Sequence, residues 1–228
     1  MKRYRIIWDF DGTILPLAPH DSEQALLMYM ADHTLRKTYF FKQLFIKAII
    51  YADKRERMRK IFKKSYIHLL KGTHTDFLDQ ISKILAKQIM QKERQIFRQL
   101  KEQGHHLVIL SCGTRDLSTR ILKAAGLIGC FDKIEGNRFQ IVKDKIVGMD
   151  LRMPNPEDKL KWLHRHRFDP KDAIAVGDGY TDLPLFRWAE VPVLIDRTGK
   201  KKMRYSMKGL HVISSLPELI DLIPKELC

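Results

Sequence analysis

The chain has 228 residues, 44% of them hydrophobic, which fits one large domain or a core domain with an insertion. Its net charge of +15 predicts a surface that attracts anions. The longest apolar stretch, 39–51, is interrupted by Lys42 and Lys47 and falls short of the roughly 20 residues that span a membrane. The absence of a signal-peptide segment and of metal-type cysteine spacing predicts a cytoplasmic protein.

The first predicted element is a short buried strand. The run YRIIWDFD, residues 4–11, is apolar up to two acids, Asp9 and Asp11, and Gly12 follows directly. Two carboxylates at this spacing repel each other and are costly to bury. A bound cation that offsets their repulsion is therefore expected where this strand ends.

A long helical and basic region comes next. Residues 20–103 predict helix almost throughout, and the clearest helical period is formed by Phe41, Leu44, Phe45, Ala48 and Ile49. Residues 14–103 contain 18 Lys and Arg against 9 Asp and Glu, and the basic residues are densest over 54–64. This charge indicates either a solvated helix face or a surface that attracts an anionic substrate.

One break in this region is visible in the segment KGTHTDFL, residues 71–78. Gly72 is expected to end one helix, and Thr73 or Thr75 to cap the next. The next helix is predicted to cover 79–103 and to end at a glycine.

After Gly104 the pattern alternates between strands and helices. The apolar run 106–111 predicts a parallel strand covered on both faces, and a helix follows it. Residues 137–151 alternate around a Lys-Asp-Lys turn, which predicts a β-hairpin. The segment PEDKLKWLHRHR has the acid-to-base order of a helix. Residues 173–179 form another buried strand, and PVLID and HVIS predict later ones.

This order predicts an α/β fold with a doubly wound, Rossmann-like parallel sheet and an inserted helical cap domain. The expected limits are 1–15 and 104–228 for the catalytic core. The cap is expected over 16–103, with its last helix returning to the core. Three predicted strands end in polar residues, namely Asp9 to Asp11, Ser111 and Asp178. Ligands bind at this edge of such sheets, and clustered carboxylates there suit Mg²⁺.

Four segments in chain order resemble the motifs of the haloacid dehalogenase superfamily. They are DFDGT, LVILS, the lysine in PEDKLKWL and GDGYTD, and they extend from Asp9 to Asp182. The helical insert after the first motif is similar to that of the phosphoserine-phosphatase-like subgroup. The resemblance implies a Mg²⁺-dependent phosphomonoester phosphatase that works through an aspartyl phosphate.

The resemblance also implies residue roles. Asp9 would be the nucleophile, and Asp11 the general acid and then the general base. Ser111 would donate a hydrogen bond to a phosphoryl oxygen, and Lys159 would neutralise charge beside Asp9. Asp178 would bind Mg²⁺ together with the Asp9 carboxylate and the backbone carbonyl of Asp11.

Asp182 would support this metal shell from one helical turn further on. Backbone N–H groups around Gly12, Cys112 and Gly113 are expected to bind phosphate oxygens, with Ser111 and Lys159. Lys161 is an alternative to Lys159, which is favoured because Trp162 and Leu163 would then face inward. A thiolate phosphate loop would need an arginine at a set spacing that is missing here, so Cys112 is expected to be a buried thiol.

The sequence defines the substrate less closely than the type of reaction. In phosphoserine phosphatases a glutamate soon after the first motif recognises the amino group, but Ala18 stands near that place. Asp21 and Glu23 follow and are possible substitutes. An anionic lipid phosphate is a further candidate, because the basic, apolar insert resembles that of the subgroup's phosphatidylglycerophosphate phosphatases. The face with Phe41, Phe45 and Ile49 would then touch a bilayer peripherally; otherwise it forms the core of the cap.

Two other functions remain open at this point. One is phosphoryl transfer to an acceptor other than water. The other is a basic module that binds lipid or nucleic acid with an idle site, for which charge is the only support. Specific nucleic-acid binding is not expected, because the sequence lacks recognised motifs and stacking aromatics. A small anionic phosphorylated substrate is the expected partner.

Overall fold

The computed structural model describes residues 2–17, 19–34, 40–53, 59–199 and 207–223. The strands are β1 (Arg5–Trp8), β2 (His106–Thr114), β3 (Lys133–Val142), β4 (Lys145–Asp150), β5 (Ala173–Gly177), β6 (Val191–Ile195) and β7 (His211–Ile213). The helices are α1 (Ser22–Thr34), α2 (Phe40–Asp53), α3 (Arg59–Leu70), α4 (Asp76–Ala86), α5 (Gln91–Glu102), α6 (Arg115–Ala124), α7 (Pro156–Arg165), α8 (Leu183–Trp188) and α9 (Leu219–Leu222).

Across these ranges the strands form one seven-stranded sheet in the order β4-β3-β2-β1-β5-β6-β7. All neighbours pair in parallel except β3 and β4, which form an antiparallel hairpin. The predicted class, a doubly wound Rossmann-like α/β sheet with inserted helices, is confirmed. Because β1 lies between β2 and β5, the ends of these three strands are adjacent, at the switch point where such sheets bind ligands.

The central strands are apolar on both faces. In β1, Ile6 and Trp8 pack into one hydrophobic cluster and Ile7 into a second cluster. Successive side chains of a strand point to opposite faces, so two separate clusters mean that both faces of the sheet are covered. The predicted hairpin is also present, and its turn residues Lys143 and Asp144 have φ values of +48° and +58°.

The helices α1 to α5 are all inserted between β1 and β2. Of these helices, α5 packs against the sheet. Its Phe97 ring contacts the Trp8 ring of β1 edge-on, with 5.1 Å between the ring centroids, and lies 5.2 Å from the Phe131 ring. The domain limits at 15 and 104 stay a prediction. Among the helices of the described ranges, none has the length and apolarity needed to cross a bilayer.

The prediction of a single helix over 79–103 is wrong, because α4 and α5 are two separate helices. The guanidinium group of Arg94 donates to the carbonyl oxygens of Ile89 at 2.9 Å and Ala86 at 2.6 Å. These bonds satisfy backbone acceptors that an uninterrupted helix would have used itself. Thr75 does precede α4, but its side chain makes no capping hydrogen bond. Instead its backbone N–H donates to the carbonyl of Asp144 in the β3–β4 turn.

Candidate active site

A buried lysine connects two acids at the carboxyl edge of the sheet. Lys159, from the first half of α7, is fully buried, and its Nζ lies 2.8 Å from Asp9 Oδ1 and 2.7 Å from Asp182 Oδ1. The alternative, Lys161, is exposed and pairs with Asp158 on its own helix at 2.8 Å. Of the two lysines, the structure therefore brings Lys159 to the acids.

The charges in this group are unbalanced. Burial raises the pKa of Asp9 well above its usual range; Lys159 opposes this, and Asp182 and Asp178 add to it. Burial also lowers the pKa of Lys159, but Asp182 and Asp9 outweigh it, so the pKa is raised well above its ordinary value. Lys159 is thus a stable cation at neutral pH. The raised pKa of Asp9 indicates that one ammonium is insufficient to stabilise the ionised forms of all three buried acids, which a further cation would stabilise.

Three carboxylates provide the atoms for such a cation. Asp9, Asp178 and Asp182 are buried, and one oxygen of each lies within 4.8 Å of the others. Asp182 Oδ1 accepts from Lys159, and Oδ2 accepts from the backbone N–H groups of Asp178 at 3.0 Å and Gly179 at 3.2 Å. Both Asp182 oxygens therefore accept hydrogen bonds within the protein, and these bonds fix Asp182 between Lys159 and the backbone of Asp178 and Gly179.

Gly12 allows Asp178 to approach the first motif. Its φ is +84°, and a Cβ at this position would lie 2.2 Å from Asp178 Oδ2. Only glycine fits both conditions. The Asp178 carboxylate consequently lies beside the backbone that carries the Asp11 carbonyl, the third predicted metal ligand. A set of buried hard oxygen donors whose ionised forms need a further cation fits Mg²⁺.

The Asp11 carboxylate has different partners. The Ser22 backbone N–H donates to Oδ1 at 2.8 Å, and the Ser22 hydroxyl donates to Oδ2 at 3.0 Å. Burial and then the charge of Asp21 raise the pKa of Asp11 to about 7, although the Ser22 backbone hydrogen bond opposes them. A carboxyl group in this range exchanges protons near neutral pH, as a general acid and base must.

Ser111 and its neighbours lie at the end of β2, which runs on to Thr114 rather than ending at Ser111 as predicted. Ser111 is buried, and its Oγ accepts a hydrogen bond from the Gly113 N–H at 2.9 Å. That N–H, one of the expected phosphate donors, is therefore used within the protein. The N–H of Gly12, another expected donor, is also used, since it donates to the Leu15 carbonyl at 2.7 Å. Cys112 is also buried, and burial raises the pKa of its thiol to about 11, so it is protonated at neutral pH.

Sequence reasoning missed the contacts of the first turn of α1. Asp21 Oδ1 accepts from the Gln24 N–H at 2.7 Å and so caps α1. Glu23 is fully buried and bonds to Lys63 of α3 and Thr114 of β2. Both acids that were candidates for a substrate amino group therefore have protein partners. An acid at a helix start signals a cap in the sequence, but nothing local to residue 23 indicates partners 40 and 91 residues away.

Some predicted features lie outside the described residues, and one predicted helix face is only partly exposed in the structure. Ala18, the side chain of Phe41 and most of the basic segment 54–64 are not described. The helix face proposed from Phe41, Phe45 and Ile49 does not act as one surface, since Ile49 is buried while Phe45 is half exposed.

Known proteins are similar to this chain in sequence and in fold. Residues 6–187 match the family model of haloacid dehalogenase-like hydrolases. The chain is 23% identical over 186 residues to the phosphoserine phosphatase of Archaeoglobus fulgidus; the match covers 75% of this chain and 52% of that relative, so the chain spans about half of its length.

Two solved structures are similar in fold. One is a phosphoserine phosphatase with a phospho-aspartyl intermediate analogue, with a TM-score of 0.70, 18% identity, and coverage of 98% of this chain and 100% of the other. The other is cytosolic 5′-nucleotidase IIIB bound to cytidine, with a TM-score of 0.71, 14% identity, and coverage of 96% and 83%. The chain belongs to the haloacid dehalogenase-like hydrolase family, as the motifs predict.

Proposed function

We propose that this protein is a Mg²⁺-dependent phosphatase that hydrolyses small anionic phosphomonoesters through an aspartyl phosphate on Asp9. The main support is the grouping of Asp9, Lys159, Asp178 and Asp182 at one edge of the sheet in a chain of this hydrolase family. A protein of similar fold was solved with a phospho-aspartyl intermediate analogue. For this chain, the covalent step is part of the proposal.

The proposed reaction has two steps. First, a carboxylate oxygen of Asp9 attacks phosphorus, the bond from phosphorus to the ester oxygen breaks, and Asp11 gives a proton to the departing alcohol. Second, water attacks phosphorus and gives a proton to Asp11 as the bond to Asp9 breaks. The products are the alcohol and inorganic phosphate, and both carboxyl groups return to their starting states.

The remaining site residues would bind the phosphoryl group. The Ser111 hydroxyl and the backbone N–H of Cys112 are the proposed donors, and Lys159 reduces the repulsion between Asp9 and the phosphate. Mg²⁺ bound to Asp9, Asp178 and the Asp11 carbonyl would offset the remaining negative charge. The catalytic core is proposed over 1–15 and 104–228, and the cap over 16–103.

The proposal is tested by phosphate release from a panel of esters: phosphoserine, sugar phosphates, nucleotides, p-nitrophenyl phosphate and a dispersion of phosphatidylglycerophosphate. The curated relative is a phosphoserine phosphatase. The site gives phosphoserine no special support as the substrate of this chain, because Asp21 and Glu23 already have partners within the protein. Metal-dependent release from at least one ester is expected. No release from any of them would contradict the proposed function.

Removal of the metal is expected to stop the reaction. We predict that EDTA lowers phosphate release by at least about 100-fold and that excess Mg²⁺ restores it, because the buried carboxylates otherwise repel the phosphate. The variant Asp178→Asn should need at least about tenfold more Mg²⁺ for half-maximal activity, since it loses a charged ligand.

Asp221→Asn makes the same chemical change at an exposed position on α9 and is the matched control. Its Mg²⁺ requirement should equal that of the wild type. Full activity in EDTA, or equal Mg²⁺ requirements for the two variants, would contradict the proposed metal site.

One observation favours a lipid phosphate among the possible substrates. On α2 the apolar side chains Leu44, Phe45 and Tyr51 are 55%, 51% and 76% exposed, and the exposed Lys47 lies beside them. An apolar face with cations fits the surface of an anionic bilayer. On this proposal the protein binds peripherally to such a surface and takes its substrate there.

Binding to vesicles tests this idea. Wild type should sediment with vesicles rich in phosphatidylglycerol but not with phosphatidylcholine vesicles, and the double variant Leu44→Gln/Phe45→Gln should bind about tenfold more weakly. The control is Ile84→Gln on α4, where the side chain is similarly exposed. Equal weakening by both variants, or no binding by wild type, would exclude membrane contact through α2.

A further inference from the structure

The first turn of α1 determines the orientation of the Asp11 carboxylate. A single residue, Ser22, donates to both oxygens of Asp11, through its backbone N–H at 2.8 Å and its hydroxyl at 3.0 Å. Ser22 is fully buried, so water does not compete for these bonds. Two donors from one rigid helical turn fix the plane of the carboxylate as well as its position.

This orientation directs Asp11 toward the proposed phosphate site. A Cβ built on Gly113 would lie 2.9 Å from Asp11 Oδ2 and 3.1 Å from Ser111 Oγ. The acid and the serine hydroxyl thus approach the same small space, which a side chain at position 113 would fill. The oxygen that points there is Oδ2, the one that the Ser22 hydroxyl contacts.

The next residue connects this turn to two other parts of the protein. Glu23 Oε1 accepts hydrogen bonds from Lys63 Nζ and Thr114 Oγ1, both at 2.5 Å. Lys63 belongs to α3 of the helical insert, and Thr114 ends β2 of the sheet. All three residues are buried. The position of the α1 turn therefore depends on how the insert and the sheet are packed together.

We propose that Ser22 is a positioning residue for Asp11, and that Glu23 makes this positioning depend on the packing of the insert against the sheet. The inference rests on the proposed function, in which Asp11 donates a proton to the leaving alcohol and later accepts one from water. A misplaced carboxylate slows the proton transfer and leaves the attack of Asp9 on phosphorus largely unchanged. The loss of activity in a Ser22 variant should therefore be larger for an ester whose leaving group must be protonated.

Two substrates with different leaving groups provide the test. p-Nitrophenolate leaves as a stable anion without a proton, whereas an alkoxide needs one. The second substrate is the alkyl phosphate of the panel that wild type hydrolyses fastest. Because kcat/KM reports on steps up to cleavage of the ester bond, Ser22→Ala should lower it about tenfold more for the alkyl ester than for p-nitrophenyl phosphate. Ser22→Thr keeps the hydroxyl and should restore most of the loss.

Ser82→Ala is the matched control. Ser82 is also buried, on α4, and within the described residues its hydroxyl makes no hydrogen bond to Asp11, Ser22, Glu23 or Thr114, so the change removes a buried serine hydroxyl without affecting the proposed contacts. Its effect should be equal for both esters. Thr114→Val removes a donor to Glu23 and should repeat the selective loss. Combined with Ser22→Ala it should act less than additively, since both changes displace the same carboxylate.

The outcomes separate the two proposals. If wild type hydrolyses both esters and the variants show wild-type melting curves, an equal loss on both esters, or no loss, overturns the role of Ser22 and leaves the proposed function standing. If wild type releases phosphate from no ester, the proposed function fails and this inference fails with it. A selective loss rescued by threonine supports the inference.

Discussion

Replacing Asp9 with Asn is expected to reduce phosphate release by roughly 10⁴-fold or more, as the loss of a catalytic nucleophile does elsewhere. An amide is a poor nucleophile, so the covalent step would be lost for every ester. The fold should persist, because Lys159 keeps its bond to Asp182 and the asparagine oxygen can still accept from it. Initial rates over the ester panel and a melting curve give both results.

The same change at Asp221 serves as the control, since that side chain is exposed on α9. Asp221→Asn should retain wild-type rates. A folded Asp9→Asn variant that still turns over phosphate esters would exclude Asp9 as the nucleophile.

The second large effect is expected at Lys159. Lys159→Met removes the cation that two buried carboxylates share, so Asp9 and Asp182 both lose a charged partner at 2.8 and 2.7 Å. Breaking a buried ion pair from one side costs about 3–5 kcal/mol of unfolding free energy. Activity should be lost too, because the repulsion between Asp9 and the phosphate is no longer reduced. Urea unfolding measures the first effect and phosphate release the second.

Lys161→Met provides the comparison on the same helix. Its side chain is 70% exposed and pairs only with a neighbour on α7 in the described part of the chain, so the expected change is within about 0.5 kcal/mol. A Lys161 variant as damaged as the Lys159 variant would mean that the damage comes from α7 itself rather than from the buried charges.

The strand ends could be predicted because local sequence carries their signals. Continuous apolar runs predict β1, β2 and β5, and polar residues interrupt those runs in or just after each strand. The choice of Lys159 follows from helical spacing, since Leu163, four residues later, is fully buried on the same face of α7. Periodicity and strand position are sufficient for such residues, because the elements that carry them are regular.

The contacts of α1 and the break between α4 and α5 depend on residues distant in the sequence. Asp21, Ser22 and Glu23 are all plausible helix-start residues, and only the packing of α1 against β2 and α3 decides which one meets Asp11. The break is stabilised by Arg94, which supplies donors to carbonyls behind it. Local secondary-structure propensity does not include contacts with residues that are distant in the sequence, so sequence patterns alone miss these features.

The exposure of α2 was difficult to predict for a similar reason. Its sequence is apolar on both faces, which is typical of a helix buried all round. In the structure Ile46, Ile49 and Ile50 are buried while Leu44 and Phe45 are exposed. Only the number and position of neighbouring helices decide which face is covered.

The most direct test of the central claim is to trap the covalent intermediate. Wild type is mixed with its preferred ester and Mg²⁺, quenched during turnover and treated with borohydride, which reduces an aspartyl phosphate, and peptides are then mapped by mass. The account predicts a reduced side chain at Asp9 that is absent without substrate and absent in Asp9→Asn. Steady phosphate release with Asp9 unmodified, or with modification at another residue, would contradict it.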